Sequence, residues 1–243
     1  MHAVECIPED FYRQTALLGI AFDDGDMTKL GQYLDLLLAT NRMFNLTAVK
    51  EPSQGWMRHI LDSLSLLPVL VKEEARHVID VGSGGGLPGI PLAITMPETT
   101  FVLVEATGKK AEFLRETVDI LQLDNVTIAN ARAEDIGTKE GGFRDAADAV
   151  IARAVGPLPV LLELTVPLAK VDGIVIAIKG EKAQEEIENS KKALHVLHGE
   201  VESMDRSTTG TVVVIRKKKH TPQKYPRFPG EPKRDPIGGK PIK

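Results

Sequence analysis

His77-Val78-Ile79-Asp80-Val81-Gly82-Ser83-Gly84-Gly85-Gly86-Leu87-Pro88-Gly89 is an apolar run of strand length that passes straight into a glycine-rich turn. A short β-branched run bounded by glycine reads as a buried strand. Five glycines fall within the eight positions 82–89, and glycine lets a backbone turn sharply and come close to another molecule. The turn then opens a helix. Strand, glycine turn and helix in that order begin an open α/β sheet, in which ligands sit outside the carboxyl ends of the strands. A glycine turn with no ligand is the plainer reading, and so many glycines directly after a strand argue against it.

Downstream the same grammar repeats. TFVLVE (100–105), NVTIA (125–129), DAVIA (148–152), GIVIAI (173–178) and TVVVI (211–215) are strand candidates, with a weaker one at EVESM (200–204). Helix patterns such as GKKAEFLRETVDILQL and LPVLLELTVPLAK lie between them. Near-continuous Val/Ile strands alternating with helices predict a mostly parallel seven-stranded sheet covered on both faces. The last two candidates are joined by a link too short for a parallel crossover, so they are expected to pair antiparallel. Upstream, Leu30, Tyr33, Leu34, Leu37, Leu38 and Phe44 recur at helical spacing, and a second helix is predicted through Trp56, Ile60, Leu61, Leu64 and Leu67, stopped near Pro68. The chain thus divides into an N-terminal helical segment (1–72), the α/β domain (73–215) and a tail (216–243).

The 243 residues, 42% of them hydrophobic, suffice for one sizeable core with a smaller appendage. The single cysteine, Cys6, permits no internal disulfide, as in a reducing, cytoplasmic setting. Neither a signal peptide nor a membrane-spanning helix is expected from the sequence pattern. Net charge is −4, but unevenly spread: residues 216–243 hold ten Lys/Arg against two Asp/Glu, a net of +8, and the remainder carries −12. The tail also holds six of the fifteen prolines, which predicts an extended or disordered segment. Lys217, Lys218, Lys219, Lys224 and Arg227, with Tyr225 and Phe228 interleaved, suit phosphates and unpaired bases. A merely solubilising end is the plainer alternative.

Gly84-Gly85-Gly86-Leu87-Pro88-Gly89 matches the G-x-G-x-x-G dinucleotide fingerprint, but out of register with the strand. Counted from Asp80, the run reads acidic-x-Gly-x-Gly-x-Gly, as in the first motif of Rossmann-like methyltransferases. An aspartate there suits the ammonium or sulfonium of S-adenosylmethionine and would repel a pyrophosphate. Glu105, ending the second strand, can accept both ribose hydroxyls and serves either cofactor. After the third strand, Glu134-Asp135 could border an adenine, or simply favour a helix N-terminus.

Further segments extend the pattern: Asn45-Leu46-Thr47, Arg58-His59-Ile60-Leu61-Asp62-Ser63, Ile90-Pro91 beyond the glycine turn, Lys109-Lys110, Phe113-Leu114, Arg132-Ala133-Glu134, Ile151-Ala152-Arg153-Ala154 and Lys224-Tyr225-Pro226-Arg227-Phe228-Pro229-Gly230. Together with the glycine turn they resemble the RsmG family, also called GidB. The resemblance implies a Rossmann-like class I fold and methyl transfer from S-adenosylmethionine to N7 of a guanine in the 530 loop of 16S ribosomal RNA, free or in the small subunit or its assembly intermediate. It implies a cofactor site of Asp80, Gly82, Gly84, Leu87, Glu105, Ala106, Thr107, Ala133, Glu134 and Arg153. Substrate-side candidates are Arg153, His59 and Asn45. Gly85 stands where relatives carry Ala or Pro and is expected to add only local flexibility. No metal or membrane is implied, and the chain is expected to act as a monomer.

Guanine N7 is a lone-pair acceptor on the major-groove edge and attacks without first losing a proton. Such chemistry needs alignment rather than a general base, and alignment alone can contribute roughly 7–11 kcal/mol. The absences agree: Cys6 lies far from the sheet, and strand four runs into Ala152-Arg153-Ala154 rather than an Asn/Asp-Pro-Pro turn. Arg153 suits guanine O6 or a phosphate, or else a structural ion pair. His59 sits between Arg58 and Asp62, where a helical charge pair is the plainer reading. His195 and His198 share a helix spacing, but no third ligand accompanies them.

Overall fold

The computed structural model describes residues 2–207 and 210–239. Its strands are β1 (His77–Val81), β2 (Thr100–Val104), β3 (Val126–Ala129), β4 (Ala147–Arg153), β5 (Ala169–Lys179), β6 (Gly199–Arg206) and β7 (Thr211–Lys217). They form one seven-stranded sheet in the order β3-β2-β1-β4-β5-β7-β6. β1 pairs parallel with β2 and β4, while β7 runs antiparallel between β5 and β6. Strand order therefore reverses at β1, and the glycine turn and the end of β4 flank that switch point, where α/β folds bind ligands.

The alternation of side chains explains both faces. Val78, Phe101, Leu103, Ile151, Ile176 and Val214 join one core, and Ile79, Val81, Val104, Val150, Val175 and Val213 the other. A bulge between Ala147 and Ala149 puts Ala147 on the second face despite its odd number. The first face is covered by α1 (Glu9–Leu17), α2 (Asp26–Asn41), α3 (Pro52–Gly55), a wide helical turn (Trp56–Leu61), α4 (Asp62–Leu64), α5 (Leu67–Lys72), α6 (Gly89–Thr95) and α7 (Gly108–Leu121). The second is covered by α8 (Ala133–Ile136), α9 (Leu158–Thr165), α10 (Ala183–Asn189) and α11 (Lys191–Leu197), with α12 (Glu231–Arg234) in the tail.

Two helix boundaries differ from expectation. Pro68 does not stop a helix; it stands in the first turn of α5, where a missing N–H costs nothing. Phe44 lies beyond α2, which ends at Asn41. The larger difference is the tail. Lys217 belongs to β7 and is fully buried, and residues 218–239 run as a strap over the second face, with Tyr225 and Ile237 in its core. The strap is ordered by partners far away in sequence. Arg144 donates to the carbonyls of Thr221 (2.6 Å) and Tyr225 (2.7 Å). Arg227 pairs with Glu163, which is buried on α9. Proline density removed helix propensity here without removing order. Among the described residues no helix is long and apolar enough to cross a membrane, and no group of His, Cys, Asp and Glu is placed to hold a metal.

Candidate active site

A cavity of about 150 Å³ opens beyond the ends of β1 and β2 and is lined by Gly82, Glu105, Ala106, Ala133, Glu134 and Leu164 among others. Gly82 has φ +73°, and a Cβ there would come 2.9 Å from Val155 Cγ2. The position therefore requires glycine for its backbone and for its space. Glu105 is buried and joins two loops: Oε2 accepts from the Gly84 N–H (3.0 Å) and Oε1 from the Thr107 N–H (2.7 Å). Asn130 donates to the Glu105 carbonyl at 2.8 Å and fixes that strand end.

Asp80, Gly84, Leu87 and Thr107 act behind this cavity rather than on its wall. Asp80 alternates onto the first face with Val78, and its Oδ2 accepts the Gly89 N–H at 3.0 Å, at the start of α6. Burial pushes its carboxyl up to about 7, against the lowering by the Gly89 N–H. Its Oδ1 is buried without a hydrogen-bond partner among the described residues. One oxygen of Asp80 thus shapes the turn, while the other has no protein partner among those residues. Leu87 packs into the first-face core. Gly85 is also more than a flexible link. Its carbonyl accepts the Tyr33 hydroxyl at 2.7 Å, and a Cβ there would lie 2.7 Å from Leu37 Cδ1, so α2 is seated directly on the glycine turn.

A second cavity, about 430 Å³, lies beyond β4 and β5 and is lined by Thr47, Arg58, His59, Asp62, Arg153 and Lys179 among others. Arg153 follows the alternation of Ile151 toward the N-terminal segment, and its Nη1 donates to Asp62 Oδ2 at 3.0 Å. Asp62 is almost fully buried, so this pair spans the crevice. His59 Nδ1 lies 3.0 Å from its neighbour Arg58's carbonyl oxygen and must donate to it; Nε2, 2.6 Å from Thr47 Oγ1, then accepts from that hydroxyl. Burial, reinforced by the Arg153 charge, lowers His59 to about 4 and keeps it neutral. Lys179 donates to the Gly156 carbonyl (2.6 Å) and pairs with Glu186 (2.7 Å).

Arg153 and His59 thus line the same cavity. Asn45 does not join them: it is exposed on the loop after α2, and Thr47 lines the crevice instead. Asn41 Oδ1 holds that loop through the N–H groups of Leu46 (2.8 Å) and Thr47 (2.9 Å). Thr47, Asp62 and Lys179 carried weak sequence signals. For Lys179 the available signal was a lysine directly after the apolar run GIVIAI.

The tail residues require the largest correction. Lys217 is fully buried against Asp145 and the Ala169 carbonyl (2.7 Å), and Tyr225 is buried. Arg227 gives Nε and Nη2 to Glu163 at 2.8 and 2.6 Å. Lys217 and Tyr225 are thereby turned away from solvent, and Arg227 is half-buried with its guanidinium engaged. Lys218, Lys219 and Lys224 remain exposed, Lys224 with its ammonium 5.1 Å from the Tyr225 ring centre.

The parallel sheet with one inserted antiparallel strand, the glycine turn at its switch point and an acidic residue directly after β2 define a class I methyltransferase. Comparison with known proteins narrows this. The chain belongs to the rRNA small subunit methyltransferase G family, whose model matches residues 26–215. It is 42% identical over 220 residues to the ribosomal RNA small subunit methyltransferase G of Sorangium cellulosum, covering 90% of this chain and 91% of that one. It is 38% identical over 239 residues to that of Ligilactobacillus salivarius, covering 95% and 99%. Among solved structures, an O-methyltransferase from Bacillus cereus in complex with SAH superimposes with a TM-score of 0.56 at 17% identity, over 88% of this chain and 100% of that one. A methyltransferase from Geobacter sulfurreducens gives 0.56 at 15% identity over 85% and 97%. These two likenesses concern the fold. With its family, the chain is an S-adenosylmethionine-dependent methyltransferase.

Proposed function

We propose that this chain methylates N7 of a guanine in the 530 loop of 16S ribosomal RNA, taken as RNA or within the small subunit or its assembly intermediate, and that it acts in the cytoplasm as a monomer without a metal. The observation that carries the reading is the extent of the family match. Residues 26–215 include the linings of both cavities, so cofactor side and substrate side belong to one inherited unit.

The residues around the smaller cavity fit the nucleoside end of S-adenosylmethionine: a turn that tolerates no Cβ at Gly82, and a buried carboxylate at Glu105. S-adenosylmethionine, when bound, supplies a methyl group on a positively charged sulfur. Glu105 would accept the ribose hydroxyls on the lone pairs that Gly84 and Thr107 leave free, since each carboxylate oxygen accepts two bonds. Ala106, Ala133 and Glu134 would border the adenine. Arg153, steadied by Asp62, would donate to guanine O6; a guanidinium has five N–H donors, more than the two a bidentate carboxylate takes. Neutral His59 adds no second cation beside Arg153 and, with its Nε2 occupied by Thr47, acts as a wall rather than a base. N7 carries no proton to be removed, so the protein's contribution is alignment and exclusion of water.

With Arg216, Lys217 and Arg227 engaged in ion pairs, RNA phosphates are assigned to the mouth of the crevice, alongside the exposed lysines of the strap. Arg58 lines both the 430 Å³ cavity and an adjoining cleft of about 680 Å³ that Arg206 also borders, and both arginines are exposed. The test is methyl mapping by mass spectrometry on the 530-loop fragment of 16S RNA from cells lacking the protein. N7-methylguanine should vanish and return when small subunits are incubated with the purified chain and labelled S-adenosylmethionine. A methylated loop in the deletion strain would overturn the reading.

A further inference from the structure

We propose that the C-terminal strap positions the nucleoside pocket, with Arg227 as the positioning residue; this rests on placing the nucleoside in the 150 Å³ cavity. Two walls of that cavity come from different helices on the second face. α8 supplies Ala133 and Glu134, and α9 supplies Leu164. α8 is a single four-residue turn, too short to hold its own shape in water.

The strap ties these two helices together. Arg227 reaches α9: its backbone N–H donates to Glu163 Oε1 at 2.9 Å, and its side chain brackets the same fully buried carboxylate. Three residues later, the Gly230 N–H donates to Glu134 Oε1 at 3.0 Å. The peptide 227–230 is thus a short tie between one helix that lines the pocket and the other. Arg144 adds a clasp at the far end of α8, donating from Nη1 to both the Gly137 carbonyl (2.9 Å) and the Tyr225 carbonyl (2.7 Å). The Pro226 ring packs there too, 3.2 Å from where a Cβ on Gly137 would stand. Glu163 is adjacent in sequence to Leu164, and Glu134 lines the cavity itself. Movement of the strap is therefore movement of the pocket walls.

The charges make the tie selective. The bidentate Glu163 contact holds the Arg227 guanidinium above its usual range and turns it inward, so it is spent on the fold rather than on phosphate. Removing it strands a buried carboxylate on α9. The strap's part in the reaction is then cofactor affinity, opposite to what its net positive charge suggests.

The experiment compares wild-type full-length chain, Arg227→Ala, Arg227→Lys and a Lys219→Ala/Lys224→Ala control. S-adenosylhomocysteine affinity is read by calorimetry well below each melting temperature, and 16S RNA affinity by filter binding without cofactor. Arg227→Ala should weaken S-adenosylhomocysteine binding at least tenfold and change RNA binding less than twofold. Arg227→Lys should recover part of the loss, and the lysine control should leave cofactor binding unchanged. Should Arg227→Ala not fold, Arg144→Ala loosens the same strap without stranding Glu163 and should move cofactor affinity in the same direction. A folded variant with unaltered cofactor affinity, or one whose RNA affinity falls further than its cofactor affinity, overturns the strap's role. Wild-type chain that binds no S-adenosylhomocysteine would instead strike the placement of the nucleoside.

Discussion

Glu105 carries two loops on one carboxylate, and its replacement is felt twice. Glu105→Ala frees the N–H groups of Gly84 and Thr107 and removes the ribose acceptor. At about 1–3 kcal/mol for a charged hydrogen bond, the expected loss in S-adenosylhomocysteine affinity is on the order of tenfold to a hundredfold by calorimetry. Unaltered affinity would place the ribose elsewhere. Gly82→Ala separates two costs at one position. Val155→Ala should relieve the contact at 2.9 Å but not the left-handed backbone, worth roughly 1–2 kcal/mol. The double variant should therefore recover cofactor binding only in part. His59 offers a pH signature. Its pKa is about 4 in the fold, against roughly 6.5 in an unfolded chain. As pH falls from 6.5 toward 4, the unfolded state gains a proton the native state refuses. Stability should drop by about 1.4 kcal/mol per pH unit across that window. Urea unfolding of His59→Gln should show a flatter decline, and an equal decline would mean that His59 takes up its proton in the fold.

At the scale of elements, the seat of α2 on the glycine turn is the contact that joins N-terminal segment to cofactor loop. Tyr33→Phe leaves the buried Gly85 carbonyl without its donor, at a cost of about 1–3 kcal/mol in denaturant unfolding. It should also weaken S-adenosylhomocysteine binding, because the turn it steadies contains Gly82. Stability loss with intact affinity would show the two to be independent. The strands were legible because a buried parallel strand must be apolar on both sides: HVIDV reproduces β1 to the residue. The antiparallel end of the sheet followed from link length alone. The crevice was legible only in part. Arg153 and His59 announced themselves by charge type at a strand end and on a helix, whereas Thr47 and Asp62 matter through partners reached across the fold, 12 and 91 residues away. Local spacing carries no trace of such pairings.

At the scale of the whole molecule, the same reasoning explains why the tail was misread. A run of cations and prolines looks identical whether its charges meet water, phosphate or buried carboxylates. Here Lys217 meets Asp145, and Arg216 meets Glu73 and Glu202. RNA binding should then depend on the crevice mouth. Arg58→Ala and Arg206→Ala should each reduce the slope of log affinity against log salt by about one. A slope altered only by Lys219 and Lys224 would return the contact to the strap.

The insertion of β7 between β5 and β6 has a bearing on how the polypeptide is made. Five parallel strands can align as they emerge, but β6 has no neighbour to hold until residues 211–217 arrive, and the second-face core lacks Tyr225 and Ile237 until they follow. A nascent chain must therefore carry an open apolar surface until residues 211–237 have left the tunnel. Nonsense mutations that remove residues 211–237 should behave like early ones, yielding sticky, short-lived fragments rather than slightly trimmed enzymes.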